Sequence, residues 1–233
     1  MSVIVQLYQS VFYQPIFNLL VFFYNVIPGT DIGIAILALT VLVRLILLPL
    51  SLQSIKSQRA MQQMQPKLRA LQEEFKGDKE KLSRATMELY AKEKVNPLSS
   101  CLPLLIQLPF FLAIYQAMRN GLGQKLSLLY AFVPNPGTIE PIAFGMLNLA
   151  APSIPLAVLA GVSQYFQTKM MMPPPSDASG KNDTMAMMNK QMVYVMPAVT
   201  VFIGARLPGG LALYWLLTNL LTMLQQWYFF SRK

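Results

Sequence analysis

A chain of 233 residues that is 54% hydrophobic and only 12% charged is too apolar for an ordinary soluble domain and has the composition of one small polytopic membrane domain. It contains no histidine and a single cysteine, which excludes imidazole acid–base catalysis, serine–histidine triads, histidine-ligated zinc and an intrachain disulfide, and leaves Cys101 as packing. The net charge of +9 acquires meaning only from where the charges fall along the chain.

Residues 1–30 are apolar and aromatic, but Gln6, Ser10, Gln14 and Asn18 recur every fourth residue and draw one polar stripe along a helix. This pattern predicts an amphipathic helix lying in the membrane interface, kinked at Pro15. No basic segment precedes it, so no cleavable signal peptide is expected. Pro28-Gly29-Thr30 then breaks the chain, and Asp31 is placed to cap the next helix. The span that follows, 32–50, is almost wholly apolar except for Arg44. A charge at that depth costs roughly 2.5–3.5 kcal/mol on insertion scales, so it faces a wet cavity or a partner. The competing reading is a guanidinium that snorkels to headgroup level past Leu50.

From 51 to 96 the character reverses. Ten Lys and Arg alternate with acidic residues, and Met61, Met64, Leu68, Leu71 and Phe75 step by three and four, a seam continued by Leu82, Ala85 and Leu89 after Gly77-Asp78. A cytoplasmic helical hairpin is predicted, with its first arm interrupted at Pro66 and therefore mobile. Four further spans are predicted at 98–118, 154–172, 188–206 and 211–230, joined by a Pro- and Gly-containing connection at 119–152 and a flexible one at 173–187. The hairpin's ten cations, with Lys169, Lys181, Lys190, Arg232 and Lys233, stand against Arg119, Lys125 and Arg206 on the other face. The positive-inside rule then puts the hairpin and the C-terminus in the cytoplasm and the N-terminus outside. It also accounts for the basic charge without nucleic acid as a substrate.

Four of the five spans carry polar residues on one face. Thr40 and Arg44 lie one turn apart on the first, Ser100 and Gln107 on the second, Ser163, Gln164 and Gln167 on the third, and Trp215, Thr218, Asn219 and Thr222 on the last. Singly, each is as readily an interhelical hydrogen bond, worth about 0.6 kcal/mol on average. Together, with one intramembrane cation and no carboxylate to neutralise it, they describe a water-filled groove. The many methionines around 170–196 are either filler or an adaptable surface for varied partners. Neither a nucleotide-binding motif nor a pair of intramembrane aspartates occurs, and no cofactor or metal is expected.

The run Leu39-Thr40-Val41-Leu42-Val43-Arg44-Leu45-Ile46-Leu47-Leu48-Pro49-Leu50, the Met64-Gln65-Pro66-Lys67 of the hairpin, Asn96-Pro97-Leu98, Cys101-Leu102-Pro103-Leu104-Leu105-Ile106-Gln107-Leu108-Pro109-Phe110-Phe111 and Leu211-Ala212-Leu213-Tyr214-Trp215-Leu216-Leu217-Thr218-Asn219 closely resemble the YidC/Oxa1/Alb3 membrane protein insertases, in the short form without a large periplasmic domain. The resemblance implies an all-α membrane protein in which five transmembrane helices enclose a hydrophilic groove open to the cytoplasm and to lipid. It implies an insertase rather than an enzyme, in the bacterial plasma (inner) membrane. Arg44 would be the groove arginine, Thr40 the threonine one turn before it, Trp215 the aromatic position of the last span, and Gln164 or Gln167 the groove glutamine of the third. Nascent membrane proteins, through their transmembrane segments and acidic tails, are the implied clients; the Sec translocon, the signal recognition particle or its receptor, the ribosome and the lipid bilayer are the implied partners. A small anion transporter or channel subunit with Arg44 as its anion site is the alternative, and five spans without an internal repeat count against it.

Overall fold

The computed structural model describes residues 3–96, 102–119, 126–171, 187 and 190–231. It is helical apart from one small β-hairpin among these residues. Helix α1 (Val3–Tyr8) passes through a π turn at Gln9–Tyr13 into α2 (Gln14–Val26), followed by α3 (Ile32–Ile46), α4 (Leu48–Glu74), α5 (Lys79–Lys92) and α6 (Leu102–Arg119). Strands β1 (Ile142–Ala143) and β2 (Leu147–Asn148) pair antiparallel. Helix α7 (Ile154–Met171), a second π turn at Gln191–Val195, α8 (Met196–Gly204) and α9 (Gly209–Ser231) complete the chain.

Both π turns end two residues before a proline, Pro15 and Pro197. A proline lacks the N–H that closes the helical bond and crowds the carbonyl four residues back. The wider turn absorbs that crowding: the N–H of Gln14 reaches Gln9 O, and that of Met196 reaches Gln191 O. The kink predicted at Pro15 is thus taken up upstream, with helix on both sides. The polar stripe of this segment also turns inward in its second half. Gln14 donates to Leu128 O at 3.1 Å, and buried Asn18 donates to the same carbonyl at 3.0 Å while accepting from Tyr130 N.

The predicted first span is two helices. Asp31 caps α3 as expected, accepting from Gly33 N at 2.7 Å and Ile34 N at 3.1 Å. But α3 stops at Ile46, and the axis bends by 68° at Leu47 before α4 begins. Pro49 falls in the first turn of α4, where its missing N–H costs nothing. Conversely Pro66, predicted to interrupt the hairpin's first arm, lies inside an unbroken 27-residue α4. Among the described residues no single helix is both long and apolar enough to cross a membrane; α3 and α4 together pass that test as a bent pair.

The hairpin turns at Gly77, whose φ of +100° suits a residue without Cβ, and Asp78 caps α5 by accepting from Lys81 N. Lys67 and Glu93 pair across the two arms. Of the predicted seam, Met64 and Leu68 are buried, whereas α5 buries nothing. Gln62 donates to Met171 O and so ties α4 to the end of α7.

The core lies where α2, α3, α6 and α9 meet, around Phe17, Leu20, Ile36, Leu39, Ile114 and Tyr214. Helix α7 packs on α9 and carries α8 on its other side; Gly161 makes the α7–α8 approach possible, since a Cβ there would collide with Val201 and lie 2.9 Å from Pro197 O. The β-hairpin, unforeseen in the 119–152 connection, covers the start of α3. Its turn places Phe144 and Gly145 at φ of +53° and +72°, the signature of a type I′ turn, and Phe144 N donates to Asp31. Ser100 of the predicted polar face, Cys101 read as packing, and nearly all of the 173–187 connection lie outside the described residues.

Candidate functional site

Several polar side chains of the spans meet at α9, which faces different helices on different sides. Toward α3 and α6 it offers Tyr214, Thr218 and Thr222, one turn apart. Arg44, half-buried on α3, donates to the backbone carbonyl of Thr218 at 3.1 Å, and Thr222 Oγ1 donates to the same oxygen at 2.6 Å. Gln107 of α6 donates to the Tyr214 hydroxyl. Trp215 meets Phe111 edge to face, with ring centroids 5.4 Å apart.

The guanidinium has five donors, and the Thr218 carbonyl is the one hydrogen-bond partner of Arg44 among the described residues. It makes no ion pair among them; Lys67–Glu93, Lys81–Asp78 and Arg84–Glu80 all belong to the hairpin. A cation with one neutral partner in an apolar helix remains ready to accept an anion.

On its opposite side α9 faces α7. Asn219 donates to Ala160 O at 3.1 Å and to Ser163 Oγ at 3.0 Å, and Ser163 Oγ itself donates to Ala160 O at 2.8 Å. Farther along α7, Gln164 accepts from Thr200 of α8. Of the predicted residues, therefore, Arg44, Thr218 and Gln107 gather along the α3–α6–α9 seam, with Trp215 on the same helix. Asn219 and Gln164 bind helix to helix elsewhere. Thr40 is buried and donates to Ile36 O within its own helix at 2.6 Å, and Gln167 donates to Met171 Sδ at 3.3 Å within α7.

Tyr214 and Thr200 complete these contacts and were not among the predicted site residues. Tyr214 had a readable signal in standing four residues before Thr218 and eight before Thr222. Thr200 is the one hydroxyl in the apolar Met196–Gly204. No metal-binding group of three or more carboxylate, cysteine or histidine side chains occurs among the described residues. A cavity of about 530 Å³ opens at the Asp31 end of α3, lined by Tyr24, Asn25, Asp31, Thr138 and Glu140, whereas Arg44 lies in the last turn of that helix.

Residues 22–233 match the model of the 60Kd inner membrane protein family. The chain is 36% identical over 219 residues to the membrane protein insertase YidC of Pelobacter propionicus, covering 94% of this chain and 38% of that protein. It is also 36% identical over 217 residues to the YidC of Geobacter sulfurreducens, covering 92% of this chain and 36% of the relative. With the YidC of Fusobacterium nucleatum it shares 36% identity over 204 residues, 87% of either chain. The chain thus spans little more than a third of the first two relatives and most of the third. A crystal structure of an active YidC insertase with its first transmembrane domain resolved superposes with a TM-score of 0.62 at 26% identity, covering 95% of this chain and 46% of that one. The resemblance drawn from the motifs holds: this chain belongs to the 60Kd inner membrane protein family, the family of the YidC insertases.

Proposed function

We propose that the chain is a membrane protein insertase of the bacterial inner membrane, acting without covalent chemistry. In this reading residues 1–30 lie in the interface, and α3, α6, α7, α8 with its π turn, and α9 are the five spans. The hairpin and the C-terminus face the cytoplasm. Arg44, Thr40, Gln107, Gln164, Gln167, Trp215, Thr218 and Asn219 line or support a groove open to the cytoplasm. A client's hydrophilic tail enters part-way, which shortens its apolar path, while its transmembrane segment leaves along the lipid-facing helices by hydrophobic transfer. Clients are nascent membrane proteins; the Sec translocon, the signal recognition particle or its receptor, and the ribosome are the machinery that would deliver them.

The observation that carries the reading is the half-buried guanidinium of Arg44, bonded to one backbone carbonyl and to no carboxylate among the described residues. In a medium of low dielectric such a charge attracts the acidic residues of a client tail more strongly than it would in water, and the membrane potential acting on that tail adds to the drive. The test is insertion of short single-span clients into proteoliposomes. Arg44→Ala should impair acidic-tailed clients far more than neutral-tailed ones, and Arg44→Lys should retain most activity. Equal handling of both client types by Arg44→Ala would refute the electrostatic role, and anion flux without client insertion would refute the insertase.

A further inference from the structure

We propose that the Phe144-Gly145-Met146 turn, together with Phe132 on the same connection, is a lipid anchor that seats in the headgroup–acyl boundary of the outer leaflet. The inference rests on the membrane placement given above.

Type I′ turns take Asn, Asp or Gly at both central positions because both need positive φ. Here the first central position is a phenylalanine at φ +53°, a conformation that bulky side chains avoid. A strained residue of this kind persists only where its surroundings enforce it. The enforcement is visible: the Phe144 N–H donates to Asp31, which at the same time caps α3 through Gly33 and Ile34. One edge of the Phe144 ring rests on Gly33, where a Cβ would come within 2.8 Å of it. The rest of the ring is bare, with 49% of the residue exposed. A side chain wanted only for packing would not be held in this conformation with half its surface open.

The exposed side chains of the turn and of the connection that leads to it identify the occupant. Met146 is 81% exposed and Phe132 75% exposed, the latter stacked on Tyr130. Between 126 and 153 the sole charge is Glu140, so a partner recognised by ion pairs has little to hold. Asp31 fixes the turn at the level where the apolar α3 begins, which is the level of a membrane boundary. Farther along the chain Ile154, Val158, Leu159 and Val162 leave an apolar face of α7 exposed as well, as on a lipid-facing helix. Aromatic and apolar side chains at such a boundary bury themselves about 5–10 Å into the headgroup–acyl region.

The test uses the full chain with Cys101→Ser, one introduced cysteine carrying the environment-sensitive fluorophore NBD, and liposomes of phosphatidylcholine and phosphatidylglycerol. Met146→Cys is compared with Val158→Cys, expected in lipid, and Lys81→Cys on the hairpin, expected in water. The Met146 label should show blue-shifted emission, lose intensity to lipids nitroxide-labelled near the headgroup, and resist iodide present on both sides of the membrane. Iodide quenching equal to that at Lys81 would overturn the anchor, as would protection from both quenchers, which would mean that protein covers the turn. If Val158 also escaped the lipid quencher, the membrane placement itself would fail; a quenched Val158 beside an unquenched Met146 would reject the anchor alone. Phe144→Asn supplies a second readout, because it suits the turn better while removing the ring. Its melting temperature in detergent should hold or rise, and the Met146 label should move toward water. A sharp fall in melting temperature with lipid quenching unchanged would make the ring a structural wedge and overturn the proposal.

Discussion

Asn219→Leu separates glue from groove. The Asn219 side chain is 6% exposed and donates two hydrogen bonds across the α7–α9 interface, to Ala160 O and Ser163 Oγ. Leucine keeps most of the volume and removes both bonds. Neither acceptor is left stranded, since Ser163 Oγ still donates to Ala160 O. Interhelical hydrogen bonds in membranes average about 0.6 kcal/mol, so the pair is worth about 1.2 kcal/mol. That is a factor of about eight in the folding equilibrium and, for a chain of this size, a fall of about 2–5 °C in melting temperature. Thermal unfolding in detergent, followed by circular dichroism, gives the shift. A double-mutant cycle with Ser163→Ala should recover a coupling of about 0.6 kcal/mol between the two side chains. Zero coupling, or a variant as stable as the parent, would mean that Asn219 faces water in the groove and does not clamp α9 to α7.

Three other outcomes follow from contacts described above. Gly161→Val should push α8 off α7, because even a Cβ collides with Val201 and approaches Pro197 O; a cost of about 1–3 kcal/mol in thermal unfolding is expected for such overpacking, and a neutral result would show that the two helices are loosely apposed. Asp31→Ala removes the α3 cap and frees the Phe144 N–H, so stability should fall by about 1–2 kcal/mol, and faster amide exchange at Gly33, Ile34 and Phe144 should localise the loss. In the hairpin, the hydrogen bond and charge of Lys67 hold the Glu93 carboxyl below its usual range. A carboxyl lowered in the folded state stabilises fully above its unfolded value of about 4.3 and loses that contribution as pH falls through the lowered value. The two arms should therefore separate more readily as the pH falls below the ordinary carboxylate range, measured as distance between labels on α4 and α5, and Glu93→Gln should abolish the dependence.

Much of the helical framework was legible because apolar runs between breakers leave few choices. Helix α7 ends within a residue of its predicted span, and α9 starts two residues before its own. Asp31 was readable as a cap because a short acceptor before an apolar run has one obvious use. The prolines were not. Pro49 and Pro66 both fall inside helical patterns, yet one lies beside a 68° bend and the other sits within a continuous helix, since the outcome depends on what packs beside each turn. The β-hairpin escaped notice because its turn uses Phe-Gly in place of Asn-Gly. Within the candidate site, periodicity put polar residues on shared helix faces, but period alone does not say which neighbouring helix a face meets. Asn219 and Thr218 are adjacent in sequence, yet the Asn219 side chain meets α7 while the Thr218 carbonyl meets Arg44 of α3.

The bend at Leu47 makes a lever with unequal arms. The backbone is hydrogen-bonded through it, with Leu47 N to Val43 O and Ser51 N to Leu47 O, both at 2.9 Å, so α3 and α4 are joined by a stiff elbow. At 1.5 Å per residue the 27 residues of α4 reach about 40 Å from that pivot, while Arg44, three residues away on the other side, stands about 4.5 Å from it. The ratio is about nine to one. A rotation about Leu47 that carries Glu74 through about 7 Å carries Arg44 through less than about 1 Å. The elbow therefore passes little of any such rotation to the charge at its foot, which stays within reach of the Thr218 carbonyl.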